Sequence, residues 1–160
     1  MPETLTPQES PKYLLSAFSV DYFLLENFKV LAKAHNLGQD PVEVTFDVKT
    51  KVSFFDQLKI IQSSIYVTTS LVKEKKTICK LAEAEISFDF TIENYDFFRD
   101  GDKYQYPEQF LKHLNNVAIS TSRGLLFAKF SCTSLQGVIM PLIFTDPLAP
   151  ITTIEPTTQS

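Results

Sequence analysis

The side chains of this chain that could do chemistry are few and scattered. His35 falls in a connection between strands, and His113 falls in a helical segment beside Lys112 and Asn115. Neither has a Cys, Asp or Glu at metal-ligand spacing, so both read as solvated imidazoles and no metal is expected. Cys79 and Cys132 are too few for a disulfide framework and lack metal-type spacing; they read as reduced core thiols. Glu83 and Glu85, two apart, would share one face of a strand, where ordinary solvation explains them as well as acid–base work does. Four glycines, dispersed along the chain, cannot build a phosphate-cradling loop. No G-x-S-x-G elbow and no Cys/His couple is present. The reading is of a protein that is not an enzyme and carries no cofactor, so its work must lie in surfaces and in the elements that shape them.

Two of those elements announce themselves by alternation. Val42, Val44, Phe46 and Val48 alternate with Glu43, Thr45, Asp47 and Lys49, and Ile86, Phe88, Phe90 and Ile92 alternate with Ser87, Asp89, Thr91 and Glu93. Successive strand side chains point to opposite faces, so each run has an apolar and a polar side. A sheet covered on one face and wet on the other is an antiparallel pattern. Four strands are expected: Phe18–Leu31, with a bulge near Leu25 where the alternation slips; Val42–Val52, ending in a turn at Phe54–Gln57; Lys59–Val72; and Thr77–Glu93. The charged run Lys73-Glu74-Lys75-Lys76 joins the last two as a hairpin.

A connection from Asn94 to Tyr106 follows, holding Tyr95, Phe97, Phe98, Tyr104 and Tyr106, an aromatic load unusual for a solvated loop. Pro107 then suits a helix start, with Glu108 favoured by the helix dipole. The spacing of Phe110, Leu111, Leu114, Val117, Ala118 and Thr121 predicts a helix over Pro107–Cys132, interrupted at Gly124. Past that glycine Leu125, Leu126, Phe127, Ala128 and Phe130 leave little polar face. One sheet can bury only one side of such a helix, so oligomerisation is expected, with Phe110, Leu114, Val117, Leu125 and Phe127 as interface candidates. The fold class is α+β: a four-stranded antiparallel sheet followed by a long helix packed on one face.

Composition bounds the rest. At 160 residues the chain fits one domain, with a body over 13–144 between a Pro-containing arm (1–12) and a Pro/Thr-rich tail (145–160). The net charge of −4 is interspersed and leaves no basic footprint for nucleic acid. No run nears the ~18 uninterrupted apolar residues of a membrane span. With no basic-then-apolar start resembling a signal peptide, a cytoplasmic location is expected. Fourteen Phe and no Trp point to a Phe-rich core or to rings lining a promiscuous apolar surface. Glu43, Asp47, Glu83, Glu85, Asp89 and Glu93 are either solubilising charge or a patch for a basic partner.

In this order, the pieces resemble the SecB family of export chaperones. The likeness spans Phe18 to Pro147: the first strand FSVDYFLLENFKVL, a crossover, the strand PVEVTFDV, the hairpin SLVKEKKT, the long helix, and the closing GVIMPLIFTDP, with Gly137 ending the helix and Pro141 and Pro147 beyond it. The resemblance implies a cytoplasmic homotetramer, a dimer of dimers, that binds non-native polypeptide clients in apolar grooves without ATP or metal. Phe97, Phe98, Leu142 and Phe144 are the candidate groove-lining residues, though each could equally be core. The crossover Lys33–Pro41 is short for the family, and Pro150 and Pro156 would break its second helix. The first-strand carboxylates through which the family docks the SecA motor would fall near Asn27 and Leu31, both uncharged, so a SecA partnership is doubtful. Divergent members serve toxin–antitoxin systems, and an adaptor for one specific protein is the alternative. An enzyme or small-ligand carrier would instead need a closed apolar cavity with convergent polar groups.

Overall fold

The computed structural model describes residues 11–26, 43–133 and 135–142. Four long strands, β1 (Tyr13–Leu25), β2 (Glu43–Phe55), β3 (Ile60–Lys73) and β4 (Lys76–Ile92), form one antiparallel sheet in the order β1-β4-β3-β2. A short hairpin, β5 (Arg99–Asp100) with β6 (Lys103–Tyr104), precedes a long helix, α1 (Glu108–Phe130). β1 and β2 are consecutive in sequence but stand at opposite edges, so the chain between them passes from one side of the sheet to the other. That crossover, with His35, and the expected continuation of the first strand through Phe28 to Leu31 lie outside the described residues.

The alternating runs become the strands because period-2 patterning sends one set of side chains to a common inner face. Ile61, Ile65, Val67 and Leu71 of β3 and Ile86, Phe88, Phe90 and Ile92 of β4 are all buried there. The register places Ile61 beside Phe90 and Ile65 beside Ile86, so the two middle strands supply the floor of the core. The β3–β4 hairpin turns on Glu74 and Lys75, both left-handed at φ 49° and 63°, a geometry more often given to Asn-Gly. A 3-10 turn over Asp56–Leu58 joins β2 to β3 and closes on Lys59 at φ 57°, slightly later than the turn expected at Phe54–Gln57.

β1 departs most from the expectation. It begins at Tyr13, and its irregularities lie between Leu15 and Ala17 and between Val20 and Tyr22, not at Leu25. The second bulge reverses the alternation: Val20 faces Ile86 and Phe23 faces Ala84 on the inner side, while Tyr22 and Leu24 pair with Glu85 and Glu83 on the outer. An unbulged strand would have left Val20, Tyr22 and Leu24 on one face, which is why the simple pattern misplaced the slip.

Helix α1 crosses the inner face over β3 and β4. Leu111, Leu114, Ala118, Leu126 and Phe130 reach the core, and the helix runs without a break through the exposed Gly124, where an interruption was expected. Each helix residue there has its i−4 carbonyl, and a single glycine costs only roughly 1 kcal/mol against that ladder. Gly137 does not end the helix either; it sits at φ 83° in the turns that follow, with Leu135 and Met140 folded back into the core. Arg123 Nε donates to the Met140 carbonyl at 2.6 Å and holds this segment to the helix. Among the described residues no helix is long and apolar enough to cross a membrane.

One polar pair is sealed between helix and sheet. Ser63 Oγ donates to Asn115 Oδ1 at 2.5 Å, and both residues are almost wholly buried. Removing one partner strands the other without water. Asn115→Ala should therefore cost about 1–3 kcal/mol, whereas Ser63→Ala combined with Asn115→Leu should recover most of that loss. Urea unfolding of the two variants checks it: the single change lowers the midpoint and the double change returns it towards wild type.

Candidate functional site

The aromatic connection after β4 is folded, because its rings have more to gain from one another than from water. A 3-10 turn, Tyr95–Phe98, leads into the β5–β6 hairpin, and Gln105 N–H closes the loop on the Phe98 carbonyl at 2.7 Å. Tyr106 stacks on Phe54 of β2 with centroids 4.1 Å apart and planes 11° from parallel, and Tyr104 lies beyond it at 6.4 Å and 16°. Tyr95 sets its edge against Tyr104 at 5.1 Å. The result is an aromatic shelf at the end of the sheet, in which Phe54, Tyr106 and Tyr104 lie near-parallel and Tyr95 and Phe97 meet their neighbours edge-on; Phe97 is exposed and Tyr104 half-buried.

One carboxylate ties the shelf to the sheet. Asp56, in the β2–β3 turn, accepts from Tyr95 Oη at 2.5 Å and also from Tyr106 Oη, and the two phenols touch at 2.7 Å. Burial, and then the Asp56 acceptor, hold both phenols protonated well above the ordinary tyrosine range. Sequence reading passed over Asp56. Its partners are 39 and 50 residues away, and no local spacing signals such a contact.

The expected groove residues separate. Phe97 is 39% exposed and Leu142 65% exposed, so both rings or chains are available to a ligand. Phe98 is not: it is buried at 2%, packed on Phe97, Tyr106 and Phe110, and it supports the shelf from beneath. Successive residues of a 3-10 turn point in different directions, which sends neighbouring phenylalanines to opposite fates. Phe144 lies outside the described residues.

The inner face extends past both sides of the helix. On the β2 side Val44, Phe46 and Val48 are only half-buried. On the β1 side Phe18 is 55% exposed, while Phe88, its partner in the register, is fully covered. At ~100° per residue, Phe110, Val117 and Leu125 fall on one flank of α1 beside its buried stripe. Tyr13 of β1 meets Phe110 at 5.9 Å near the start of α1, and Phe23 of β1 meets Phe130 at 5.9 Å near its end. Val117 and Leu125 are half-buried and Phe127 is 47% exposed, so these interface candidates are accessible. Leu114 is not: at 1% exposure it belongs to the protomer's own core.

The two sheet edges are finished differently. The outer positions of β2 carry Glu43, Asp47, Lys49 and Lys51, charges of the kind that discourage another strand from pairing. β1 carries Asp21 alone among Tyr13–Leu25, and exposes Leu14, Phe18 and Leu24.

On the outer face, Glu83, Glu85 and Asp89 of β4 share one side of the strand; Asp47 shares the Glu83 row through Thr68, and Lys49 shares the Glu85 row through Tyr66. Two carboxylates at and just after β1 join that face. The β1 bulge aims Asp21 across the sheet to accept from Ser87 Oγ at 2.5 Å. Glu26 follows, 3.6 Å from Lys80. Asn27 and Leu31 lie outside the described residues. Glu83 accepts from Lys80 at 2.6 Å and from Tyr22, and these two donors hold its carboxyl below the usual range.

The remaining candidates have structural partners. His113 Nε2 lies 2.6 Å from Tyr13 Oη and pins the start of β1 to the helix. Cys79 is half-buried, which pushes its thiol up, but Cys132 is exposed and so is not a core thiol. Among the described residues no three His, Cys, Asp or Glu side chains converge as a metal site.

No protein-family model and no curated protein matches this sequence. Solved structures do. The SecB-like chaperone Rv1957 of Mycobacterium tuberculosis, solved in complex with a ChAD peptide from the Rv1956 HigA1 antitoxin, superposes with a TM-score of 0.56 at 6% identity, over 82% of this chain and 89% of that one. A protein of unknown function from Streptococcus agalactiae matches with a TM-score of 0.39 at 12% identity, over 86% of this chain and 99% of that one. The fold of this chain is SecB-like: four antiparallel strands and then a long helix.

The raised phenols carry a sign for stability. A group whose folded pKa lies above its unfolded value supports the fold fully below the unfolded value, near 10.0 for tyrosine, and loses that support as pH rises. Thermal stability should therefore begin to fall above about pH 10, and Tyr106→Phe should make that fall shallower. Melting curves through the alkaline range check it; equal slopes for the two proteins would mean Tyr106 is not the linked group.

Proposed function

We propose that this protein is an ATP-independent holdase that captures unfolded or nascent polypeptides by burying their apolar side chains. The observation that carries this reading is the apolar inner face left uncovered on both sides of α1, continued at the end of the sheet by the aromatic shelf. Each Phe or Leu of a client that leaves water there contributes ~1.5–3 kcal/mol. Several such contacts along one extended chain reinforce one another through effective concentration, so affinity needs no defined sequence. The chemistry is binding alone, without cofactor, metal or catalytic group.

The same reading makes the protein a cytoplasmic homotetramer, a dimer of dimers, with the β1 flank as the surface a second copy covers. Phe18 on β1 and Phe110, Val117 and Leu125 on α1 are apolar and not fully buried, and the edge strand β1 carries a single charge. An export role is compatible with the acidic outer face, where Asp21, Glu83, Glu85 and Asp89 could receive a basic partner. SecA itself is not the expected partner on sequence grounds alone. A second reading, an adaptor-type chaperone dedicated to one protein, takes its support from the antitoxin peptide bound to the Mycobacterium tuberculosis neighbour.

The function is tested by light-scattering aggregation assays. At several-fold molar excess and without ATP, the protein should suppress aggregation of a chemically unfolded test protein. Failure with several unrelated test proteins, together with tight binding of one partner, would replace the holdase with the adaptor. Assembly is tested at the helix. An added Cβ at Gly124 meets nothing within 4 Å in the protomer, so Gly124→Leu fits one chain and collides only with a second one. That variant and Phe127→Asp, which would bury an unpaired charge, should both lower the solution mass while far-UV circular dichroism stays unchanged. A mass unaltered in both would place the subunit contact elsewhere.

A further inference from the structure

We infer that Asp56 is the positioning residue of the client site: from the β2–β3 turn its carboxylate fixes the aromatic shelf in the shape that receives an unfolded chain. The inference rests on the holdase reading and deepens it. The backbone of the turn is held first. Lys59 N–H bonds back to the Asp56 carbonyl at 3.2 Å, and Ile92 N–H at the end of β4 bonds to the Lys59 carbonyl at 2.9 Å. Asp56 is thereby fixed relative to the sheet, while the rings it grips belong to a loop that follows β4.

The hydrogen-bond arithmetic explains why a carboxylate is needed. Asp56 Oδ1, Tyr95 Oη and Tyr106 Oη form a triangle of three close oxygen–oxygen contacts. Each phenol gives its single proton to Asp56 Oδ1, which leaves none for the 2.7 Å phenol–phenol contact, so the two hydroxyls are held side by side by the one acceptor that draws both protons. Tyr95 is buried at 1%, so its hydroxyl has no water to fall back on. The triangle determines where Tyr106 sits on Phe54, and the Tyr106 plane in turn lies near-parallel to Tyr104. Without the acceptor, two phenols would face each other and lose a charge-assisted bond each. The loop would then have several arrangements, and a client would have to select one of them, which lowers apparent affinity by the fraction of shelf that is correctly formed.

The test compares Asp56→Ala, Asp56→Asn and Tyr106→Phe with wild type for binding a fluorescent, reduced and carboxymethylated polypeptide, followed by anisotropy at constant solution mass. Asp56→Ala should weaken binding by about tenfold, and Asp56→Asn, which keeps an acceptor oxygen, should stay within about threefold. Wild-type affinity in Asp56→Ala would overturn the proposal, as would equal losses in the Ala and Asn variants. Should Asp56→Ala fail to fold, Tyr106→Phe decides: it keeps the ring and deletes one bond, and unchanged affinity would overturn the role. Amide hydrogen exchange over residues 94–106 separates this inference from the function it rests on. If wild type binds no unfolded chain, the holdase reading fails, and unchanged protection of that loop in Asp56→Ala would remove the positioning role as well.

Discussion

One helix is narrower than four strands, and much of this molecule follows from that mismatch. With side chains an α-helix is about 10–12 Å across, whereas four strands spaced at about 4.8 Å span nearly twice as much. Laid over β3 and β4, α1 seals Ile61, Ile65, Ile86 and Phe88 and cannot also seal the inner faces of β1 and β2. Here Phe18 on one side, and Val44, Phe46 and Val48 on the other, stay wholly or partly in contact with solvent. Surplus apolar surface on a well-packed centre is what a capture surface or a subunit contact requires.

The two sides of the surplus are not equivalent, and the edges tell them apart. β2 ends the sheet with two acids followed by two lysines on its outer face, charges that discourage further pairing. β1 ends it with exposed leucine and phenylalanine and one aspartate, and that aspartate is turned inward across the outer face by a bulge. On the proposed function, a surface that pairs stably with a second copy and a surface that binds clients reversibly would have to be kept from exchanging roles. Charge on one edge and its near absence on the other is a physical means of doing so.

Legibility from sequence followed the range of the interaction. Edge strand β2 and middle strand β4 were readable because Val44/Phe46/Val48 and Ile86/Phe88/Phe90 repeat with the strand period, and covering one face of the sheet enforces that period locally. The helix was readable for the same reason, although its interface side was not fully resolved. Leu114 lies within the sheet-facing arc and Val117 outside it, a difference set by the angle at which α1 crosses the strands. β1 was misread where a bulge inserts Asp21, since one extra residue reverses every face that follows it. The aromatic loop was legible as a folded element from its composition, but not in its assignment: Phe97 and Phe98 are adjacent and chemically identical, and only the 3-10 turn sends one out and one in. Asp56 lay beyond any sequence argument, because the phenols that define its role are brought to it by the fold.

The polar groups retained in this apolar frame share a physical purpose. Ser63 with Asn115, Asp56 with Tyr95 and Tyr106, and Asp21 with Ser87 each join elements distant in sequence, and each would cost stability if one partner were lost. Apolar contacts alone tolerate sliding, since a phenylalanine can pack nearly as well one neighbour over. Directional bonds do not. A protein whose surface must accept many apolar sequences faces a conflict between adaptable contacts outside and a single register inside. Placing the hydrogen bonds at the helix–sheet seam, at the base of the shelf and across the outer strands keeps the frame fixed, while the apolar rings at Phe18, Phe97 and Phe127 remain free to meet whatever covers them.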